Sequence, residues 1–457
     1  MNFDEWITKD IKKVLLLEPN FPIPNKSRNH HNFLPIGLLK IASYLRSKSI
    51  EVKLLRHEES NDKNKYVDNV QTTLDGKSVF PDESKLGEND SFHPDLICVT
   101  SIFTYWSKYV RNTVQYCRKK YGKDIPVLVG GIYASLLPDH CKKYTGCDDV
   151  ILGQIDGAEN IPPAYDLVDV DYQIIHTTRG CIRKCGFCGT YIIEPEWVCK
   201  KTIREEILTN NKKKIIFYDN NLLANKFIED ILKELIELKK EKKIRYVESQ
   251  SGFDGRILTK KPYLAKMLKD AGFKNPKIAW DHSFKQYDSI KKQVDILLDG
   301  GFKAKELSIF MIYNYEEGGG LDYVEMEKKR VKCAEWGVQI TDCRYRPLER
   351  TDDEYSPYKK HQTNADYHIN PNWTDFEIRK FRRNIRRHNI CMRHEVDYHS
   401  SLLERKKIPK EEASKYREMN YDEVKNYIPD AWSPLCFHDA KEQDFYNEFV
   451  INNKLLV

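Results

Sequence analysis

The chain has 457 residues, 40% of them hydrophobic and 32% charged, with a mean hydropathy of −0.65. At roughly 100–200 residues per domain this suits two to four domains, and the apolar share supports real cores, which excludes bulk disorder. Against 69 acidic residues stand 75 basic ones, a net charge of +6 that is too mild to imply nucleic-acid binding. Apolar runs such as VLLLEP fall short of the roughly 18 residues that span a bilayer. The start, MNFDEWITKD, has no apolar signal region. A cytoplasmic protein without a membrane partner is expected, so its 12 cysteines are read as reduced thiols rather than a disulfide framework.

Residues 1–153 alternate strand and helix. Strands are expected at 13–19 (KVLLLEP), 52–57, 95–100 (DLICVT), 126–131 (PVLVGG) and 149–152, with helices opening at Pro35 and near Ser107. Short apolar strands separated by helices imply a parallel sheet covered on both faces, a doubly wound Rossmann-like domain with its ligand beyond the strands' C-terminal ends. The polar stretch 58–95 reads as a surface excursion. Residues 154–171, with paired prolines and no period, read as a linker. A second alternation places strands at 173–178, 214–219, 245–250, 277–281, 307–314 and 338–344. Six βα units spanning 172–350 imply a partial parallel barrel with its chemistry at the strand C-termini. From 351 to 457 the pattern is polar, aromatic and helical. The fold class is α/β with a mainly helical C-terminal region.

Cys181-Ile-Arg-Lys-Cys185-Gly-Phe-Cys188 follows the first barrel strand. Spacings of three and two put three thiols on one tight loop, with Gly180 and Gly189 relieving the backbone at its ends. Three thiolates can ligate three irons of a [4Fe–4S] cluster and leave the fourth open to a substrate or cofactor. A zinc site recruiting His176 or Cys199 is the competing reading, but zinc favours four ligands in close pairs. Cys98 and Cys117 read as small packing residues, and the late cysteines Cys333, Cys391 and Cys436 lack the paired spacing of a second cluster.

The motif, with Phe187 in the aromatic slot before its last cysteine, resembles the signature of the radical S-adenosylmethionine (SAM) superfamily. The resemblance implies that Cys181, Cys185 and Cys188 hold one cluster. The open iron would bind SAM, and an electron from a donor such as flavodoxin or ferredoxin would release a 5′-deoxyadenosyl radical. Phe187 would lie near the adenine. At the place of the family's SAM amino-group segment stands Tyr218-Asp219-Asn220-Asn221, which makes Asp219 the candidate. Ser249, Gln250, Arg256 and Asp281 are candidates for the ribose or carboxylate.

The first domain, through KVLLLEPNFP, PIGLLKIASYLRS, DLICVTSIF and PVLVGGIYAS, resembles the cobalamin-binding domain of one large radical SAM subgroup. Gly130 and Gly131 would let backbone approach the corrin, and Ser101, Ile102, Phe103 and Tyr105 would line its lower face. The Asp-x-His-xx-Gly motif that supplies a histidine to cobalt is absent, since Asp139-His140 has the wrong spacing. A Rossmann-like domain without corrin is the alternative.

At the sixth strand's end, Arg344 and Arg346 are expected to point one side chain into the barrel mouth, with Arg350 and Trp373 near the same pocket. They would favour an anionic substrate, with nucleotide, tRNA and carboxylated metabolite all fitting. Cys343 reads either as a hydrogen-atom donor to a substrate radical or, more simply, as a buried structural thiol. Residues 378–392 (IRKFRRNIRRHNICM) place Ile378, Phe381, Ile385 and Met392 on one helical face, either packed on the barrel or presenting a phosphate-binding side. GGG at 318–320, after Glu316 and Glu317, reads as a loop over the barrel mouth. The leading expectation is a cobalamin-dependent radical SAM methyltransferase acting on an unactivated carbon. The competing ones are a cobalamin-independent radical SAM rearrangement, cyclisation or C–C cleavage, and a zinc-containing nucleic-acid-binding protein.

Overall fold

A computed structural model describes residues 2–22, 34–56, 92–315, 321–357, 359 and 361–395. Most of the 58–95 excursion, the GGG run and Cys436 lie outside the described residues. Among those described, no helix is long and apolar enough to cross a membrane.

The first domain is built on five strands: β1 (Lys13–Leu17), β2 (Glu51–Leu55), β3 (Leu96–Ser101), β4 (Val127–Gly131) and β5 (Asp149–Val150). All pairs are parallel, in the order β2-β1-β3-β4-β5. The direction of winding therefore reverses between β1 and β3, where the strands' C-terminal ends open a crevice. Strand alternation sends Val14 and Leu16 to one face, against Leu38, Ala42 and Leu45 of the helix Ile36–Ser47. Leu15, Leu17, Val127 and Val129 go to the other, against Val110, Val114 and Cys117 of the helix Ser107–Tyr121. Cys98 and Cys117 sit inside these cores, where burial pushes both thiols up to about 12, as packing residues would be.

The segment 154–171 is not a loose linker. Ala158 and Ala164 are buried in the first domain's core, and Tyr165 packs with Tyr172, Ile174 and Ile216 of the next. Its apolar residues are too few and irregular to show a period, yet each is covered by a neighbour distant in sequence.

The second unit carries β6 (Tyr172–Ile175), a two-stranded antiparallel hairpin of β7 (Thr178–Arg179) and β8 (Val198–Cys199), then β9 (Lys214–Phe217), β10 (Tyr246–Ser249), β11 (Lys277–Ala279), β12 (Ser308–Tyr313) and β13 (Gln339–Arg344). The six long strands are parallel within two sheets, β10-β9-β6 and β11-β12-β13. A single parallel bridge, Val247 to Phe273, joins the halves, along with an ion pair from Lys277 Nζ to Glu248 Oε1 at 3.0 Å. One face of this open barrel, with Ile175, Phe217, Val247, Ile309, Met311 and Tyr313, packs under the outer helices. The opposite, concave face of β6 and β9 receives Leu34, Ile36 and Leu39 of the first domain, so that domain plugs part of the barrel's interior.

The basic helix forms over Asp375–His394, started by a capping box between Thr374 and Glu377. Ile378, Phe381 and Ile385 are buried as expected. Met392 is not, and the stripe ends on His388 and Cys391 instead. Asn389 brackets the edge strand β13, donating to Ile340 O at 2.7 Å and accepting from Ile340 N at 2.8 Å. The packed arrangement is the one observed.

Candidate functional site

The cysteine loop is the excursion of the β7–β8 hairpin, not a simple extension of β6, which ends at Ile175. Gly180 has φ +72, and a Cβ there would sit 2.2 Å from the Glu196 carbonyl, so only glycine makes this turn. Gly189 has ordinary backbone. Its reason is contact, because Leu136 of the first domain lies 2.9 Å from where its Cβ would be.

Cys181, Cys185 and Cys188 are all half-buried on this loop. Burial raises the Cys181 and Cys185 thiols, and the charge of Cys188 acts on both in the same direction. The Arg183 amide donates to Cys181 Sγ at 3.3 Å, and the Cys188 amide to the Cys185 carbonyl at 3.0 Å. Among the described residues no three His, Cys, Asp or Glu side chains close around one point as a single-ion site does. Three thiols on one short loop can each hold a different iron of a cubane, whereas zinc favours four ligands in close pairs. His176 is buried and kept neutral, first by desolvation and then by Arg179, Lys40 and Lys200. Cys199 belongs to β8.

Asp254 is a site residue that sequence reading missed. Its Oδ2 accepts from Arg183 Nε at 2.9 Å and from Asn221 Nδ2 at 3.1 Å, so it ties the cysteine loop to the segment after β10. Arg256 is exposed and bonded to the same carboxylate through Oδ1. Asp281, half-buried after β11, and Arg256 both act on Cys185 electrostatically. Phe187 meets Tyr315 edge-on at 5.5 Å, and Tyr315 meets Tyr345 at 4.5 Å.

Two SAM candidates are corrected. Asp219 is fully buried, and its Oδ1 accepts from the amides and hydroxyls of Thr177 and Thr178 at 2.6–2.9 Å. It secures the turn from β6 into β7, and burial pushes its carboxyl up to about 6 in spite of these donors. Ser249 lies on the outer, helix-covered face and donates to Gly252 O at 3.2 Å. Gln250 remains half-buried at the strand end.

In the first domain, Ser101 Oγ donates to Gly130 O at 2.7 Å and accepts from Ala134 N at 3.1 Å. Gly131 (φ +96) would place a Cβ 2.2 Å from Ser101 O, so it is needed by the chain's own packing. Gly130 would meet Ile151 at an ordinary 3.7 Å. Ile102, Phe103 and Tyr105 stay half-buried at the sheet edge. Phe103 stacks on Tyr105 at 5.0 Å, Trp106 crosses Phe103, and Phe21, after β1, stacks on Trp106 at 5.3 Å. An aromatic wall therefore lines the crevice between β1 and β3. Its far end lies under Arg346, whose guanidinium is 4.3 Å from the Tyr105 ring.

Strand parity turns Arg344 away from the barrel mouth. Arg344 shares the outer face with its partner Tyr313 and lies between the rings of Tyr355 and Tyr367. Arg344 Nη2 donates to Asp353 Oδ2 at 2.6 Å, and Arg346 Nε donates to the same oxygen. Burial opposes it, yet the two cations hold Asp353 below the usual carboxylate range. Arg350 bonds to Asp352 and backbone carbonyls, and Trp373 is buried with its Nε1 on Leu321 O at 2.8 Å. Cys343 is exposed rather than buried, on the face opposite Arg344.

Comparison with known proteins follows the same division. Residues 30–161 match the B12-binding domain family, running past residue 153 into the segment read as a linker. The chain shares the fold of a radical S-adenosylmethionine methyltransferase, TsrM from Kitasatospora setae, solved with cobalamin and a [4Fe-4S] cluster bound. The TM-score is 0.51 at 14% identity, over 74% of this chain and 77% of that one. The same methyltransferase solved with tryptophan substrate and aza-SAM gives 0.51 at 13% identity, over 74% and 75%. Among curated proteins none matches this chain in sequence. The expected order of a B12-binding-type domain before an open parallel barrel is thus the observed fold.

Proposed function

We propose that this chain is a radical SAM enzyme that holds one [4Fe–4S] cluster on Cys181, Cys185 and Cys188, binds corrin in its first domain, and methylates an unactivated carbon. The observation that carries this is a juxtaposition. The cysteine loop lies at the C-terminal end of β6, and the first domain's aromatic wall reaches the C-terminal end of β13 through Tyr105 and Arg346. On this reading both cofactor sites would border one barrel mouth, where a substrate carbon could meet radical and methyl donor alike.

When bound, the cluster with SAM supplies an adenosyl radical, and corrin supplies a methyl carrier. The chain's own residues position these groups. Asp254 holds Arg183 and Asn221 so that the loop keeps its shape. Arg256 and Asp281 act on Cys185 electrostatically, and would offer partners to a SAM carboxylate or amino group. Phe187, Tyr315 and Tyr345 wall the loop with rings that exclude water. A flavodoxin- or ferredoxin-like donor would supply the electron. The substrate is left open, because the arginines that favoured an anion are shared with Asp353.

One observation favours radical chemistry without corrin: Ser101 and Gly131 are consumed by internal packing. The test is anaerobic reconstitution with iron and sulfide, followed by SAM and dithionite. Brown protein carrying about four irons and releasing 5′-deoxyadenosine, with release lost in Cys185→Ala, supports the radical reading; a colourless, zinc-loaded protein defeats it. Failure to bind hydroxocobalamin at saturation removes the methyl-transfer half alone.

A further inference from the structure

Segment 154–171 contributes a half-buried acid, Glu159, between two cations from different domains. Lys40, on the helix Ile36–Ser47, donates through Nζ to Glu159 Oε2 at 3.0 Å and to its carbonyl at 3.2 Å. Arg179 Nη2 donates to Glu159 Oε1 at 2.9 Å. The other terminal nitrogen of Arg179 reaches Glu194 Oε1 at 3.2 Å. Glu194 Oε2 in turn accepts from the Gly180 amide at 2.7 Å and from Asn220 Nδ2 at 3.2 Å. An unbroken chain of contacts therefore runs from the first domain, through the connecting segment, to the two residues that precede Cys181. Lys40 is buried, and the Glu159, Arg179 and Glu194 side chains are each less than a quarter exposed, so water screens these pairs less than surface pairs. A guanidinium is needed at 179, because its planar fork spans two carboxylates that a single ammonium cannot bridge in the same way. The far end of the loop is held too, by Leu136 lying over Gly189.

We propose that Glu159 and Arg179 are positioning residues that set the cysteine loop's place against the first domain. The inference rests on the cluster reading above and adds to it: the loop is a part shared by both domains, gripped just before Cys181 and just after Cys188. The grip fixes the distance between the cluster and whatever the first domain binds, and a displacement of about 1 Å in such an arrangement costs up to about a hundredfold in rate.

The experiment uses the full chain, anaerobically reconstituted, as wild type, Glu159→Gln, Arg179→Lys and Lys40→Arg. Iron content, thermal midpoint and the electron paramagnetic resonance spectrum of the dithionite-reduced cluster are recorded with and without SAM. Glu159→Gln and Arg179→Lys are expected to keep wild-type iron content with a lowered thermal midpoint, to show displaced or broadened g-values with SAM, and to lose about tenfold or more in 5′-deoxyadenosine release at temperatures where they are folded. Lys40→Arg, which can keep both contacts to Glu159, is expected to match wild type. Spectra of Glu159→Gln and Arg179→Lys superimposable on wild type overturn the positioning role alone. If Glu159→Gln does not fold, the charge-conserving Arg179→Lys decides by the same readout. Wild-type protein that takes up no iron overturns the cluster reading and this inference with it.

Discussion

Asp219 makes the sharpest test of the reasoning, because sequence assigned it to a cofactor and the structure assigns it to the turn beneath the cysteines. In Asp219→Ala the Thr177 and Thr178 amides lose their acceptor in a fully buried place, and their hydroxyls lose it too. Each stranded buried amide costs about 1–3 kcal/mol, so the substitution is expected to cost about 2–6 kcal/mol. With a urea dependence of about 3 kcal/mol per molar, the barrel's unfolding midpoint falls by roughly 0.7–2 M. Asp219→Asn keeps a carbonyl oxygen facing the same donors and also removes a buried charge. Burial raises this carboxyl from its ordinary value near 3.8 to about 6, so the folded protein binds a proton that the unfolded chain releases between those pH values. Wild-type stability therefore falls as pH rises from about 4 to about 6, by up to about 3 kcal/mol in all, and the loss persists above that window. Asp219→Asn lacks that slope, and at pH 7 it is expected to be as stable as wild type or more so. Anaerobic urea titrations followed by circular dichroism, at pH 4.5 and pH 7, measure both effects. An alanine variant within 1 kcal/mol of wild type, or an asparagine variant as damaged as alanine, refutes the structural assignment. A SAM-affinity loss in Asp219→Asn with stability unchanged would return the residue to the cofactor.

Other outcomes follow from the same contacts. Gly131→Ala forces a Cβ toward Ser101 O in a conformation side chains avoid, and is expected to destabilise the first domain by about 3 kcal/mol or more; a thermal midpoint equal to wild type would show that the strand end yields freely. Asp353→Ala strips the shared counter-charge from Arg344 and Arg346, and a loss of about 3–5 kcal/mol in denaturant unfolding is expected. Arg256→Ala removes an exposed guanidinium from the buried Asp254 carboxylate, which keeps Arg183 and Asn221 as partners, so stability should move by less than about 1 kcal/mol while the KM for SAM rises. An unchanged KM would take Arg256 out of the site.

The parts of this protein legible in its sequence are those that depend on local order. Short continuous apolar runs separated by helical stretches found the five strands of the first domain and the six of the barrel within a few residues, because a parallel strand covered on both faces is apolar along its length. The spacing of Cys181, Cys185 and Cys188 put three thiols on one loop because covalent distance alone confines them. The helix Asp375–His394 announced itself through its apolar stripe.

What tertiary structure decided was which face, and which partner, each polar side chain received. Asp219 meets Thr177 across 42 residues of sequence, Arg183 meets Asp254 across 71, and Lys40 meets Glu159 across 119. No period or spacing encodes such meetings. Which of Arg344 and Arg346 could face the barrel mouth was open in the sequence, since a one-residue change of parity exchanges barrel mouth for helix layer; pairing with Tyr313 turns Arg344 to the helix layer. Segment 154–171, featureless by pattern, proved to be packed between the two domains. Composition and spacing fix elements and covalent neighbours; the pairing of buried charges is settled only when the folded chain removes water and each charge takes the partner that packing leaves within reach.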